Sequence, residues 1–226
     1  MRVVVTIQHP GHVHFFKHAI RSMAAAGHEV FVFAREKEMA VDLLDAYDIE
    51  HTVLAGKSTS LPSLAQVQYT YERRLLKHAR RLDPDVITAI GGVAAAHVSR
   101  LVGARSLVFY DTEHATIIRW LAYPFAHTVC TPACYTGRVP GNHVTYPGYH
   151  ELAYLHPDRF SPDPSVLDGL VLDPEEKFVV TRFSDWGASH DVGQGGFDDI
   201  RTVVNRLEDT STVDNTVVLL VRANPE

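Results

Sequence analysis

Cysteine is nearly absent: Cys130 and Cys134 are the only two in 226 residues. Two thiols four apart make no disulfide framework, and a lone C-x-x-x-C lacks the paired spacing of a zinc site. No apolar run approaches the roughly 18 residues that span a bilayer. The apolar start of the chain ends at Gln8, too short for the core of a signal peptide, so a cytoplasmic protein without a transmembrane segment is expected. Basic residues are outnumbered 21 to 27, giving a net charge of −6. Their one cluster, Arg73, Arg74, Lys77, Arg80 and Arg81, falls near the end of a predicted helix, where it offsets the helix dipole on a solvated face. Nucleic acid is therefore not an expected partner. There is no H-E-x-x-H, and His14 and His18, four apart on a helix, have no third ligand spaced to join them, so no metal is expected. Gly56-Lys57-Ser58-Thr59 is not a P-loop, because the first glycine of that motif would fall on His51.

What the chain does have is a 46% apolar fraction arranged in short β-branched runs that alternate with helical periodicity. Val3 to Ile7 breaks on Pro10-Gly11 into a helix with Val13, Phe16, Ile20, Met23 and Ala24 inward and Gly27 at its end. Strands are predicted at 29–34, 50–54, 85–90, 105–110, 126–130 and 143–146. Helices are predicted at 36–47, with Met39, Leu43, Leu44 and Tyr47 inward, at 63–82, and from Gly91-Gly92 through Leu101. This is a doubly wound parallel sheet, a Rossmann-like domain over residues 1–146. Prolines 147, 157, 162, 164 and 174 mark 147–175 as an inter-domain crossover. Two further strands, at 177–182 and 216–221, flank a helix near 197–207, so 176–226 reads as the beginning of a second Rossmann-like domain, incomplete at this length.

In such sheets ligands bind at the carboxyl ends of the strands. Four segments occupy those ends: Gln8 to His12, Gly91-Gly92, Asp111-Thr112-Glu113-His114, and Arg182 with Asp185 to Asp191. Asp111 and Glu113 flank one residue, where two close carboxylates would raise one pKa and supply a general base, tuned by His114. His12 or His9 would orient or deprotonate a hydroxyl while N–H groups around Gly11 hold anionic oxygen. Gly91 and Gly92 would let a ligand approach the backbone closely. Arg182 suits a diphosphate, with His190 and Asp191 over the same gap. Ser189-His190-Asp191 contains the residue types of a catalytic triad, but neighbours in sequence do not reach the relay geometry.

The strings His9-Pro10-Gly11-His12, Asp111-Thr112-Glu113-His114-Ala115, Tyr146 to Pro157 and Arg182 to Val192 resemble a largely archaeal family of unknown function. That family is similar in fold to glycosyltransferases of the B type and, more distantly, to UDP-N-acetylglucosamine 2-epimerase and the N-acetylglucosamine transferase of peptidoglycan assembly. The resemblance implies an enzyme working in a cleft between two Rossmann-like domains, by sugar transfer or epimerisation; the rival readings are a non-catalytic binder of the same ligand and a truncated inactive fragment. A UDP-linked nucleotide sugar enters as substrate together with an unknown acceptor, and no cofactor is implied. Asp111, Glu113 and His12 would be catalytic. His9, Gly11, Gly91, Gly92, His114, Arg182, Asp185, Trp186, Ser189, His190 and Asp191 would bind substrate. The peptidoglycan transferase has a glycine-rich first loop where this chain has Pro10-Gly11, and these relatives have a longer second domain.

Overall fold

The computed structural model describes residues 1–58, 61–113, 116–170, 178–183, 199–209 and 215–220. A first compact unit runs from Met1 to Phe160 and a second from Ser161 to Glu226. The first unit holds seven strands: β1 (Arg2–Ile7), β2 (Glu29–Arg35), β3 (Thr52–Ala55), β4 (Val86–Ile90), β5 (Arg105–Phe109), β6 (Thr128–Pro132) and β7 (His143–Tyr146). They form one sheet in the order β3-β2-β1-β4-β5-β6-β7, and every pair is parallel. The chain reverses direction between β1 and β4, so the doubly wound sheet expected from the alternating pattern is the one observed.

Side chains of β1 alternate between the two faces, and both faces are covered. Val3, Val5 and Ile7 pack with Val13, Phe16 and Ile20 of α1 (Pro10–Ala25) and Leu44 of α2 (Ala40–Ala46). Val4 packs on the opposite face with Tyr71, Leu75 and Ala79 of α3 (Leu61–Leu82) and Ala94, Ala95 and Val98 of α4 (Val93–Val102). Each fully buried aliphatic side chain of this kind stabilises the fold by about 1.5–3 kcal/mol. A third cluster joins Tyr110 and Val129 to Ala122 of α5 (Thr116–Ala122) and to Tyr123 just past its end.

Helix α1 ends as the sequence predicts: Gly27, at φ +81°, donates to Ala24 O, and His28 donates to Met23 O, the paired bonds of a Schellman turn. Helix α2 is shorter than the 36–47 expected. Glu38 takes a left-handed conformation, φ +50°, which interrupts the helix before Ala40 and leaves Met39 exposed rather than inward. The crossover expected over 147–175 is divided at Phe160. Its first part stays on the first unit, where α6 (Leu152–Leu155) lies against α1, with the rings of Tyr154 and His14 5.2 Å apart.

In the second unit β8 (Phe178–Phe183) pairs in parallel with β9 (Asn215–Leu220), Phe178 opposite Asn215. Helix α7 (Ile200–Glu208) is capped by Asp199, whose carboxylate accepts from Arg201 N–H at 2.9 Å and Thr202 Oγ1 at 2.8 Å. A short 3-10 helix covers Pro164–Leu170.

Candidate functional site

The chain leaves β1 at Gln8 and turns at once into α1, with Pro10 in the first helical turn and His9 as the N-cap. His9 Nδ1 accepts the Gly11 N–H at 3.1 Å, and the His9 carbonyl accepts the His12 N–H at 3.0 Å. These two donors are therefore taken internally. The expectation that N–H groups around Gly11 hold an anion is corrected: an imidazole occupies the place a ligand oxygen would take. Because Nδ1 accepts, the proton of neutral His9 sits on Nε2, which lies 3.8 Å from a Glu38 carboxylate oxygen. Burial, then the Lys37 charge, lowers the His9 pKa against the opposing pull of Glu38.

His12 is held in a defined tautomer by its own loop. Its Nδ1 accepts the Gln8 N–H at 3.3 Å, which leaves the proton on Nε2. Burial, followed by the charges of His9, Lys37 and His150, pushes its pKa down to about 3, with Asp111 pulling the other way. His12 is thus a neutral N–H donor across the physiological range and a poor base. Of the two roles expected of it, orienting a hydroxyl fits this geometry and deprotonating one does not.

Asp111 follows β5 and His150 follows β7, and the two meet: His150 Nδ1 lies 3.0 Å from Asp111 Oδ2. His150 is 8% exposed and is gripped by aromatic rings, Phe15 edge-on at 4.8 Å and Tyr146 stacked at 6.2 Å. Phe109, at the end of β5, packs against both Phe15 and Tyr146. With Nδ1–H donating to the carboxylate, His150 Nε2 is left as a bare acceptor. It is buried and has no hydrogen-bond partner among the described residues, and the Tyr146 hydroxyl is in the same condition. Burial works against the Asp111 charge, but the His150 hydrogen bond and charge, with the Thr112 hydroxyl, hold its pKa below the ordinary carboxylate range. The Asp111 and His150 charges, on the loops after β5 and β7, both act on the His12 imidazole at the carboxyl edge of the same sheet.

Glu113 does not share that site's hydrogen bonds. Its Oε1 accepts from the backbone N–H and the hydroxyl of Thr136, which keep its carboxyl below the ordinary value. The expectation that one of two neighbouring carboxylates would be raised is therefore corrected, since Asp111 and Glu113 are both lowered by separate partners. Gly91 and Gly92 follow β4 at φ +71° and +53°. A Cβ on Gly92 would lie 2.7 Å from Val108 Cγ2, so close packing of α4 on β5 requires this glycine.

Arg182 lies in β8 opposite Leu219. His114, Asp185, Trp186, Ser189, His190 and Asp191 lie outside the described residues. Tyr146 ends β7 and His150 lies just beyond it, but the run of prolines that follows reads as a linker, so the sequence placed neither at the site. Among the described residues no group of three or more His, Cys, Asp or Glu side chains is arranged to hold a metal ion. No helix there is long and apolar enough to cross a membrane.

A seven-stranded parallel sheet with polar residues at its carboxyl edge defines a Rossmann-like α/β fold, the fold also found in solved glycosyltransferases and epimerases. The chain belongs to the family described as protein of unknown function DUF354, whose model matches residues 1–224. In fold it is similar to S. aureus MnaA solved with UDP, with a TM-score of 0.68 and 14% identity over 99% of this chain. It spans 63% of that structure's length. The UDP-GlcNAc 2-epimerase of Neisseria meningitidis bound to UDP-GlcNAc aligns with a TM-score of 0.67 and 10% identity, over 99% of this chain and 73% of that one. The Streptomyces glycosyltransferase SsfS6 aligns with a TM-score of 0.53 and 14% identity, over 97% and 68% of the two chains. No curated protein matches the chain.

Proposed function

We propose that this chain is part of a nucleotide-sugar-dependent enzyme of glycosyltransferase-B type, with a UDP-linked sugar as substrate and no cofactor. The observation that carries the reading is the Asp111–His150 pair at the carboxyl edge of the sheet, the edge from which His12 also leaves β1. Structural neighbours solved with UDP and UDP-GlcNAc support the nucleotide. In transfer, His150 Nε2 takes the proton of the acceptor hydroxyl as its oxygen bonds to the anomeric carbon. The bond from that carbon to the diphosphate breaks, and the electron pair leaves with the diphosphate. Asp111 orients the imidazole and offsets the imidazolium charge, as the carboxylate of a catalytic dyad does. His12 Nε2–H orients a substrate oxygen, and Arg182 with His190 neutralises the diphosphate.

The test uses the full protein and a panel of UDP-sugars with and without acceptors. Binding of one UDP-sugar is expected, weakened more than about tenfold by Arg182→Ala. Turnover is expected to fall about 10²–10⁴-fold in His150→Gln while binding is kept. A protein that binds none of the panel overturns the reading. The higher TM-score of the epimerase neighbour, 0.67 against 0.53 for the transferase, favours a second reading, epimerisation, which would convert the UDP-sugar with no acceptor added.

A further inference from the structure

Arg35 ends β2 at the same edge of the sheet, and it is 6% exposed. A guanidinium this buried is ordinarily matched by a carboxylate, because an unpaired buried charge costs several kcal/mol. Among the described residues Arg35 has no such partner. Its Nε donates to Gly56 O at 3.4 Å and its Nη2 to Ser58 Oγ at 2.6 Å, both uncharged acceptors. No described residue accepts from Nη1. Of the nearby carboxylates, Glu38 is engaged with Lys37 at 3.7 Å and His9 at 3.8 Å, and Glu36 lies toward Gly56.

The surroundings point to the site rather than to the outer surface. The Tyr71 hydroxyl, fully buried, donates to Phe33 O at 2.9 Å and feels Thr6, Gln8 and the Arg35 charge together. The parallel pairing of Ile7 with Ala34 sets Arg35 next to the β1 exit that carries His9 and His12. Lys37 follows it by two residues, and Lys57 lies in the loop that supplies Gly56 and Ser58. A planar guanidinium with unused N–H groups beside neutral hydroxyl and carbonyl partners matches the two-oxygen edge of a phosphate or carboxylate.

We propose that Arg35, with Ser58, forms an oxyanion subsite on the first unit, which receives a phosphate or carboxylate group of a ligand held at the β1–β2–β3 end of the sheet. The subsite does not depend on the nucleotide-sugar reading, and its test uses simple anions. The full protein is titrated at constant ionic strength with inorganic phosphate and, separately, with acetate. The Arg35 Nε–Hε resonance and the unfolding temperature are followed. A saturable shift of the resonance with a rise in unfolding temperature is expected for at least one anion, and which anion acts identifies the class. Arg35→Met should weaken that response at least about tenfold, while Ser58→Ala keeps most of it. Without anion, Arg35→Met should unfold at the wild-type temperature or above it, since it removes an unmatched charge. No response from either anion, an equal response in Arg35→Met, or an Arg35→Met protein that is less stable or unfolded would each overturn the proposal and make Arg35 a tether for the 56–58 loop.

Discussion

His150 Nδ1 stands 3.0 Å from Asp111 Oδ2, joining the chain that leaves β7 to the chain that leaves β5, with the exit of β6 between them. This contact fixes the His150 tautomer and turns an edge-strand loop inward over α1, where Phe15 closes on the ring. A strand pair would not hold this loop, because β7 is the edge of the sheet and its residues 143–145 are exposed. The pair is therefore both a structural clasp and a chemical group, and the two roles are separable by substitution.

Asp111→Asn keeps an acceptor for the His150 N–H but removes the charge. The Asp111 side chain is 35% exposed, so the expected loss of stability at neutral pH is at the low end for a charge-assisted bond, about 1 kcal/mol. The folded carboxyl lies below its unfolded value, so its contribution is complete above the ordinary carboxylate pKa of about 4 and fades as pH falls through the lowered folded value. Urea unfolding should show wild type and variant apart at pH 7 and converging in acid, as pH falls below about 4. An equal gap at both would mean that the charge of Asp111 does not stabilise the clasp.

His12 reports on acid from the opposite chemistry but with the same sign. Its folded pKa of about 3 lies below the ordinary histidine value near 6.5, so the unfolded chain takes up a proton that the folded chain refuses. Stability from this group is present above pH 6.5 and is lost as pH falls toward 3, by at most about 1.4 kcal/mol per pH unit. His12→Asn, whose side-chain oxygen can accept from Gln8, should flatten that slope by up to one proton. Imidazole ¹⁵N shifts should show Nδ1 unprotonated and Nε2 protonated from pH 8 to pH 5. A His12 titration near 6 would overturn the assignment.

Gly92 is held by two independent constraints, a backbone at φ +53° and a 2.7 Å approach of any Cβ to Val108 Cγ2. Gly92→Ala should cost about 2–4 kcal/mol, combining left-handed strain with overpacking. Adding Val108→Ala relieves only the clash, so part of the loss should return in the double variant, by chemical denaturation, against the single Val108→Ala variant. Full recovery would show that the conformation itself carries no strain.

The strands were legible because each is a short β-branched run bounded by Gly, Pro or Asp, and the parallel order follows from the helices between them. Gly27 was legible as a helix end because its place after the last inward residue admits few alternatives. The site was legible only in part. Strand-end position selected Asp111 and His12, but nothing local to the sequence says that the Gly11 N–H is capped by the imidazole two residues before it. His150 was missed because the prolines around it look like a linker. What folds that stretch back is ring packing with Phe15, Phe109 and Tyr146, residues more than a hundred positions apart in the extreme case. Arg35 was missed for a simpler reason: an arginine after a buried strand looks solvated until the loop from β3 covers it.

Two candidate bases now give opposite expectations. Glu113 Oε1 accepts both the N–H and the hydroxyl of Thr136, and an amide oxygen can accept the same two bonds. Glu113→Gln should therefore keep the fold, with at most a slight fall in unfolding temperature from the lost charge, which makes it a usable probe of chemistry. The carboxyl is held low by those bonds, so it is poorly matched to taking a proton near neutral pH. His150 has a buried Nε2 with no partner among the described residues and a carboxylate behind it, the geometry of a dyad base. In the full protein with a nucleotide sugar that turns over, Glu113→Gln should change kcat less than about tenfold and His150→Gln about 10²–10⁴-fold. The reverse ranking would move the base to Glu113 and leave the Asp111–His150 pair as a clasp alone.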